Sequence, residues 1–215
     1  MLTDMNHPST TDLLTPTAHK LVTATVREAS PDIALCSLED GSTAKIAVTD
    51  FYPNRPWRVG GRYQLALLEN SGSPRLSATV DELIPMLLEG LSPEIRDGRV
   101  RVMGVARQVG VRSKVAVAAT EPGIDPVGAA LGRAANRIKT LSRLLNVERV
   151  DVVAYHPEKP RFLANALAVV PESVEETAEG YLVKVPRHQL AAARGGGNLN
   201  VVLASRLVEC RIEVL

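Results

Sequence analysis

The chain has 215 residues, 45% of them hydrophobic and 23% charged, with a formal net charge of +1. This balance excludes a wholly disordered chain and a global polycation, and the length suits one to three modules. Aromatic residues make up only 3%, so cores must be built from Val, Leu, Ile and Ala, and few rings remain on which nucleobases stack.

Residues 1–19 mix Thr, Ser, Asn and Pro without a basic leader, which predicts a disordered tail rather than a signal peptide. Residues 20–80 read as a small β-barrel. Leu21 to Val26 alternates with period two, Ile33 to Leu38 and Thr43 to Val48 follow, and Asp40-Gly41 marks the turn between them. Asp50 to Arg58 carries Pro53, Asn54 and Pro56 and is a loop, with Phe51, Tyr52 and Trp57 expected to pack it over the barrel end. Tyr63 to Leu68 and Leu76 to Thr79 complete five short strands, joined by a turn at Ser71 to Pro74.

At Asp81 to Gly90 the spacing becomes helical. Val100 to Val109 and Lys114 to Ala119 are strands, Pro126 to Leu131 and Ala134 to Leu145 helices, and Val150 to Tyr155 a strand. The order then recurs: helix Pro160 to Leu167, strands Val169 to Val174 and Gly180 to Val185, helices Pro186 to Ala193 and Leu199 to Val208, strand Arg211 to Val214. An α-β-β-α-α-β unit therefore occurs twice, over 81–156 and 157–215.

Charge is unevenly shared. Residues 92–154 carry 11 basic and 6 acidic groups, whereas residues 155–215 carry 7 of each. The first repeat is thus the basic module, as a local anion-binding surface requires. Arg133, Arg137, Lys139 and Arg143 lie in a stretch without acidic residues. They read as a phosphate-tracking stripe or as a solvated helix face. Glu172, Glu175, Glu176 and Glu179 read as solvated surface that repels RNA.

Catalysis finds no support. His7, His19, His156 and His188 are scattered, and no metal-ligand spacing, nucleophile elbow, Walker loop or dinucleotide fingerprint is present. No cofactor or metal is expected. Cys36 and Cys210 lie far apart, which predicts neither a disulfide framework nor a zinc site and fits a reducing cytoplasm. No apolar run approaches the roughly 20 residues of a membrane span.

Between the paired helices of each repeat lies a small-residue loop: Gly132-Arg133-Ala134-Ala135 in the first and Gly195-Gly196-Gly197-Asn198 in the second. A loop without Cβ atoms lets phosphate reach the backbone, and the following helix offers free N–H groups and a positive pole. With Pro93-Glu94-Ile95, Arg112-Ser113-Lys114-Val115-Ala116-Val117, Asp125-Pro126-Val127-Gly128-Ala129 and Phe162-Leu163-Ala164-Asn165-Ala166-Leu167, these loops make the chain similar to the NusA family of bacterial transcription factors. The resemblance runs from about Lys20 to the C-terminus. It implies an α+β fold: an S1-type OB-fold β-barrel followed by two tandem type II KH domains.

The resemblance further implies a non-enzymatic protein that holds nascent single-stranded RNA and modulates elongation, pausing, termination or antitermination. It places RNA contacts at Gly132, Arg133, Ala134, Ala135, Arg137, Lys139 and Arg143 in the first KH unit. In the second it places them at Gly195, Gly196, Gly197, Asn198 and Asn200. Arg107, Arg112 and Lys114 are candidate RNA-facing strand residues. The chain is expected to be a monomer in the cytoplasm, with no membrane partner.

Three departures temper this. The family's N-terminal domain, which anchors it to RNA polymerase, is expected to have no counterpart here, so polymerase contact is expected to be weak or through RNA. Ala135 and Asn198 stand where the closing Gly of each loop belongs. Ala favours helix by about 1 kcal/mol over Gly, so Ala135 is expected to start its helix firmly and to tighten the approach to the backbone. Asn198 is expected to tolerate left-handed dihedrals and to cap its helix. The barrel's second strand also lacks an aromatic for stacking. The rival expectation is a protein-interaction module on a KH scaffold, with degenerate GXXG loops and little RNA affinity.

Overall fold

The structure, a computed structural model, describes residues 19–53, 55–68 and 74–215. The tail expected over residues 1–19, up to residue 18, and most of the turn expected at Ser71 to Pro74 lie outside the described residues.

Five strands close into a barrel in the order β1 (His19–Ala29), β2 (Ile33–Leu38), β3 (Thr43–Ala47), β5 (Arg75–Ser77), β4 (Arg62–Leu68). β1 pairs antiparallel with both β2 and β4, and a bulge between Val26 and Glu28 bends it around the barrel. Alternation decides what points inward: Ala24 and Val26, then Ala34, Cys36 and Leu38, then Ala44 and Ile46. Alanines leave room at the centre, and Phe51 and Tyr52 fill one end, each 3% exposed. Phe51 meets Tyr52 and Tyr63 edge-on at 5.2 and 5.0 Å, and Trp57 packs beside them, as expected for a loop folded over the barrel end.

Two α-β-β-α-α-β units follow. The first comprises α1 (Leu83–Leu91), a short α2 (Pro93–Arg96), β6 (Val100–Gln108), β7 (Arg112–Ala119), α3 (Pro126–Leu131), α4 (Asn136–Leu144) and β8 (Arg149–Ala154). The second comprises α5 (Lys159–Leu167), β9 (Ser173–Thr177), β10 (Gly180–Lys184), α6 (Leu190–Arg194), α7 (Leu199–Val208) and β11 (Ile212–Val214). Their sheets, β6-β7-β8 and β9-β10-β11, share one topology: the first pair antiparallel, the second parallel. Barrel and repeats together make the α+β, S1–KH–KH architecture that the sequence predicts.

β7 is buried from Ser113 to Val117 because its sheet is covered on both faces. Val115 and Val117 pack on the unit's own helices, with Leu83, Leu88, Ala130 and Leu141. Ala116, with Ala106 and Val153, faces the second unit instead and shares a core with Leu163, Leu203 and Leu207.

Several boundaries shift. α4 begins at Asn136, not Ala134, because Ala134 and Ala135 take positive φ angles of 52° and 57°. The strand expected at Val169 to Val174 forms at Ser173–Thr177, since α5 ends on left-handed Ala168 and the Val170 N–H goes to Gln189 Oε1. The helix expected from Pro186 starts at Leu190, after a turn in which Gln189 N donates to Pro186 O at 2.7 Å.

Candidate nucleic-acid interface

The two interhelical loops have nearly superposable backbones. Gly132 lies at φ 70°, ψ 172° and Gly195 at 66°, 172°. Two residues on, Ala134 (52°, 31°) matches Gly197 (59°, 27°), and then Ala135 (57°, 28°) matches Asn198 (61°, 15°). The opening position belongs to a region that only glycine occupies easily. The next two left-handed positions are held by two alanines in one loop and by Gly and Asn in the other, so the fold imposes the turn whatever the local preference.

This corrects the expectation for Ala135. It does not start the helix: it caps α4 in a left-handed conformation, where alanine is disfavoured relative to glycine. Asn198 occupies the equivalent cap of α7 and tolerates the dihedral as expected, but its side chain makes no capping hydrogen bond.

Both loops are pinned from below by the residue five positions after the first glycine. A Cβ on Gly132 would lie 2.5 Å from Arg137 Cγ, and one on Gly195 would lie 2.9 Å from Asn200 Cβ. Arg137 Nη1 donates to Ala129 O (2.5 Å), at the end of α3, and to Glu94 Oε2 (2.9 Å). The backbone N–H of Glu94 itself and the Ser92 hydroxyl hold the Glu94 carboxyl below the usual carboxylate range, with Arg137 adding to the effect. Asn200, 2% exposed, donates through Nδ2 to Ala193 O, at the end of α6, and to Leu167 O, at the end of α5, both at 2.9 Å.

Arg137 and Asn200 therefore brace their loops, and Asn200, expected among the RNA-contacting side chains, is instead buried beneath its loop. Both were legible as polar; neither sequence position alone reveals that a helix end waits beneath it.

Arg133, Lys139 and Arg143 are exposed. Lys139 Nζ donates to Ala134 O at 3.1 Å and so stays beside the loop. Gly196 and Gly197 present open backbone, with nothing within 4 Å of where a Cβ would stand. The open side of the second loop continues into a hollow of about 570 Å³ between α7 and the free edge of β11. Arg194, Asn198, Val201, Val202, Arg206 and Leu215 line it. Arg194 and Arg206 were not singled out in the sequence because only the fold brings them beside the β11 edge.

The strand candidates face inward. Arg107 makes a two-pronged ion pair with Glu148, at 2.8 and 3.0 Å, with neither side chain exposed. Its Nη1 also donates to Ala78 O and Val80 O, tying the barrel's last strand to the first KH unit. Ser113 Oγ and Gly110 N donate to the same carboxylate. Lys114 is 1% exposed, held 3.5 Å from Asp151, and burial pushes its pKa down against the pull of that carboxylate. Arg112 also pairs with Asp151, at 2.5 Å, and is largely buried. Arg107 and Lys114 are thus corrected from RNA-facing to internal: Arg107 is sealed between the first unit and the segment that follows the barrel, and Lys114 lies on the face of the sheet that the second unit covers.

Residues 78–155 match the family model of the NusA-like first KH domain. The chain is 34% identical over 179 residues to the transcription termination/antitermination protein NusA of Halalkalibacterium halodurans, covering 80% of this chain and 47% of that protein. It is 34% identical over 182 residues to NusA of Mycobacterium tuberculosis, covering 80% and 52%, and 31% identical over 179 residues to NusA of Bacillus subtilis, covering 80% and 48%. The chain spans about half the length of the curated relatives it matches. Among solved structures, that of APE1850 aligns with a TM-score of 0.47 at 23% identity, covering 63% of this chain and 97% of that one.

Proposed function

We propose, from the premise that this chain is NusA-like, that it binds single-stranded RNA through its two KH loops and acts on the nascent transcript in termination or antitermination. The observation that carries the reading is the coincidence of the two loop backbones, kept even where alanines must adopt left-handed dihedrals. Keeping a strained turn twice in one chain makes sense if its outward N–H groups are used.

In this reading phosphates approach Gly132 to Ala135 and Gly195 to Asn198, with Arg133, Lys139 and Arg143 supplying charge in the first unit. Arg194 and Arg206 do so in the second. Bases lie along the edges of β8 and β11, whose backbone groups on that side have no strand partner among the described residues. The protein works without catalysis, as a monomer in the cytoplasm, and touches RNA polymerase weakly or through RNA. No helix among the described residues is long and apolar enough to cross a membrane.

The second reading is a protein-interaction module. It is favoured by the two Cβ atoms that Ala134 and Ala135 place on the first loop, and by the withdrawal of Arg107, Lys114 and Asn200 into the interior. Fluorescence anisotropy with a labelled 20-nucleotide single strand, at several salt concentrations, separates the two. The RNA reading expects affinity that falls by about 0.7 log units per log unit of salt for each phosphate engaged. Absence of binding at low salt selects the interaction module.

A further inference from the structure

Between the barrel and the first KH unit lies a cleft of about 440 Å³, lined by Thr23, Arg62, Tyr63, Gln64, Arg143, Leu144 and Asn146. We propose that this cleft holds one nucleotide: a base against Tyr63 and the amide groups, with its phosphate on the arginines. As an extension of the RNA path, the proposal rests on the RNA-binding reading. The volume falls within the range of small-ligand sites.

The chemistry converges from both modules. Arg62 comes from β4, which pairs with β1, and Arg143 from the last turn of α4. Arg143 makes no ion pair among the described residues, and the pair of Arg62 with Glu39 is more than two-thirds solvent-exposed on both sides, hence easily exchanged for a phosphate. Tyr63 is half-buried, with its ring steadied edge-on by Phe51 at 5.0 Å. Gln64 Nε2 donates to Thr23 Oγ1 at 2.9 Å, which orients the amide. Asn146 sits at φ 59° just past the end of α4.

Three features favour a nucleotide over a simple anion. The carbonyl end of α4 brings a negative pole that disfavours an isolated phosphate but accepts the amino and imino donors of a base. The amides of Gln64 and Asn146 supply matched donors and acceptors for a base edge. The adjoining hollow beyond Gln64 carries Glu39 and Asp40 beside Lys20, a mixed lining that does not suit an isolated phosphate.

The test compares the parent with the variant Arg62→Gln/Gln64→Ala on the 20-nucleotide strand. It also titrates AMP and inorganic phosphate into ¹⁵N-labelled parent protein. A nucleotide in the cleft predicts an affinity for the long strand lowered about three- to tenfold and a salt slope smaller by about 0.7. AMP should shift the side-chain amide signals of Gln64 and Asn146, and inorganic phosphate should not.

Equal affinity of parent and variant, with the parent binding RNA, would overturn the cleft while leaving the RNA reading intact. If the parent binds no RNA, that reading fails, and the AMP titration decides alone. Shifts at Gln64 and Asn146 then support a free-nucleotide site; their absence overturns the proposal.

Discussion

Arg107 and Glu148 meet in a buried, two-pronged ion pair that also reaches the barrel through Ala78 O and Val80 O. Glu148 is further committed to Ser113 Oγ and Gly110 N. Removing one partner leaves a charge stranded in low dielectric, so Arg107→Met and Glu148→Met should each cost about 3–5 kcal/mol. Replacing both, as Arg107→Met/Glu148→Met, should cost clearly less than the two single changes together. Urea unfolding of the four proteins gives the coupling directly.

The loops make opposite demands on Cβ. Gly132→Ala should destabilise by about 1–3 kcal/mol, because φ 70°, ψ 172° suits glycine and the new methyl meets Arg137. Ala135→Gly should instead leave stability unchanged or raise it by up to about 1 kcal/mol, since it relieves a left-handed alanine. It should also strengthen RNA binding by opening the backbone, with Asn198→Gly doing less. Thermal melts and anisotropy at one salt concentration check both halves.

The exposed cations of the first unit should separate from the bracing one. Arg133→Glu/Lys139→Glu should reduce RNA affinity at least tenfold and the salt slope by more than 1, with the melting temperature nearly unchanged. Arg137→Ala should lower the melting temperature, because Ala129 O and Glu94 each lose a charged donor and keep only the Ser92 hydroxyl. If Arg133→Glu/Lys139→Glu binds RNA like the parent, phosphates do not pass the first loop.

Tyr52 carries a pH signature. Burial pushes its hydroxyl up to about 12, while the hydroxyl donates to Leu144 O at 3.3 Å. In the unfolded chain the phenol ionises near 10. Its contribution is therefore fully present below pH 10 and is lost as pH rises from 10 towards 12, at up to about 1.4 kcal/mol per unit. Tyr52→Phe should be less stable at neutral pH, and the gap to the parent should narrow over that window. A gap that stays constant from pH 8 to 11 would refute the assignment.

The repeated element order was legible because period-two runs and helical spacing alternate, with Gly and Pro as punctuation. The loops were legible too, since a run of small residues between two helices marks a place where the backbone itself must stay open. Which cations stay outside was not. Arg107, Arg112 and Lys114 look like ordinary solvent-facing strand residues until Glu148 and the segment after the barrel close over Arg107 and the second unit is laid over the face that bears Lys114, and that packing is a long-range event. Ala134-Ala135 failed for the reverse reason: every local preference says helix, and the tertiary turn overrides it.

Ala106, Ala116 and Val153 belong by sequence to the first KH unit and by packing to the second. A protease cut in the exposed stretch Pro157 to Lys159 would therefore yield two fragments that travel together, and separating them would bare the apolar back of one sheet. The repeat occurs twice as a pattern but is packed as a pair: neither copy can be lost, swapped or transplanted without rebuilding the seam of the other.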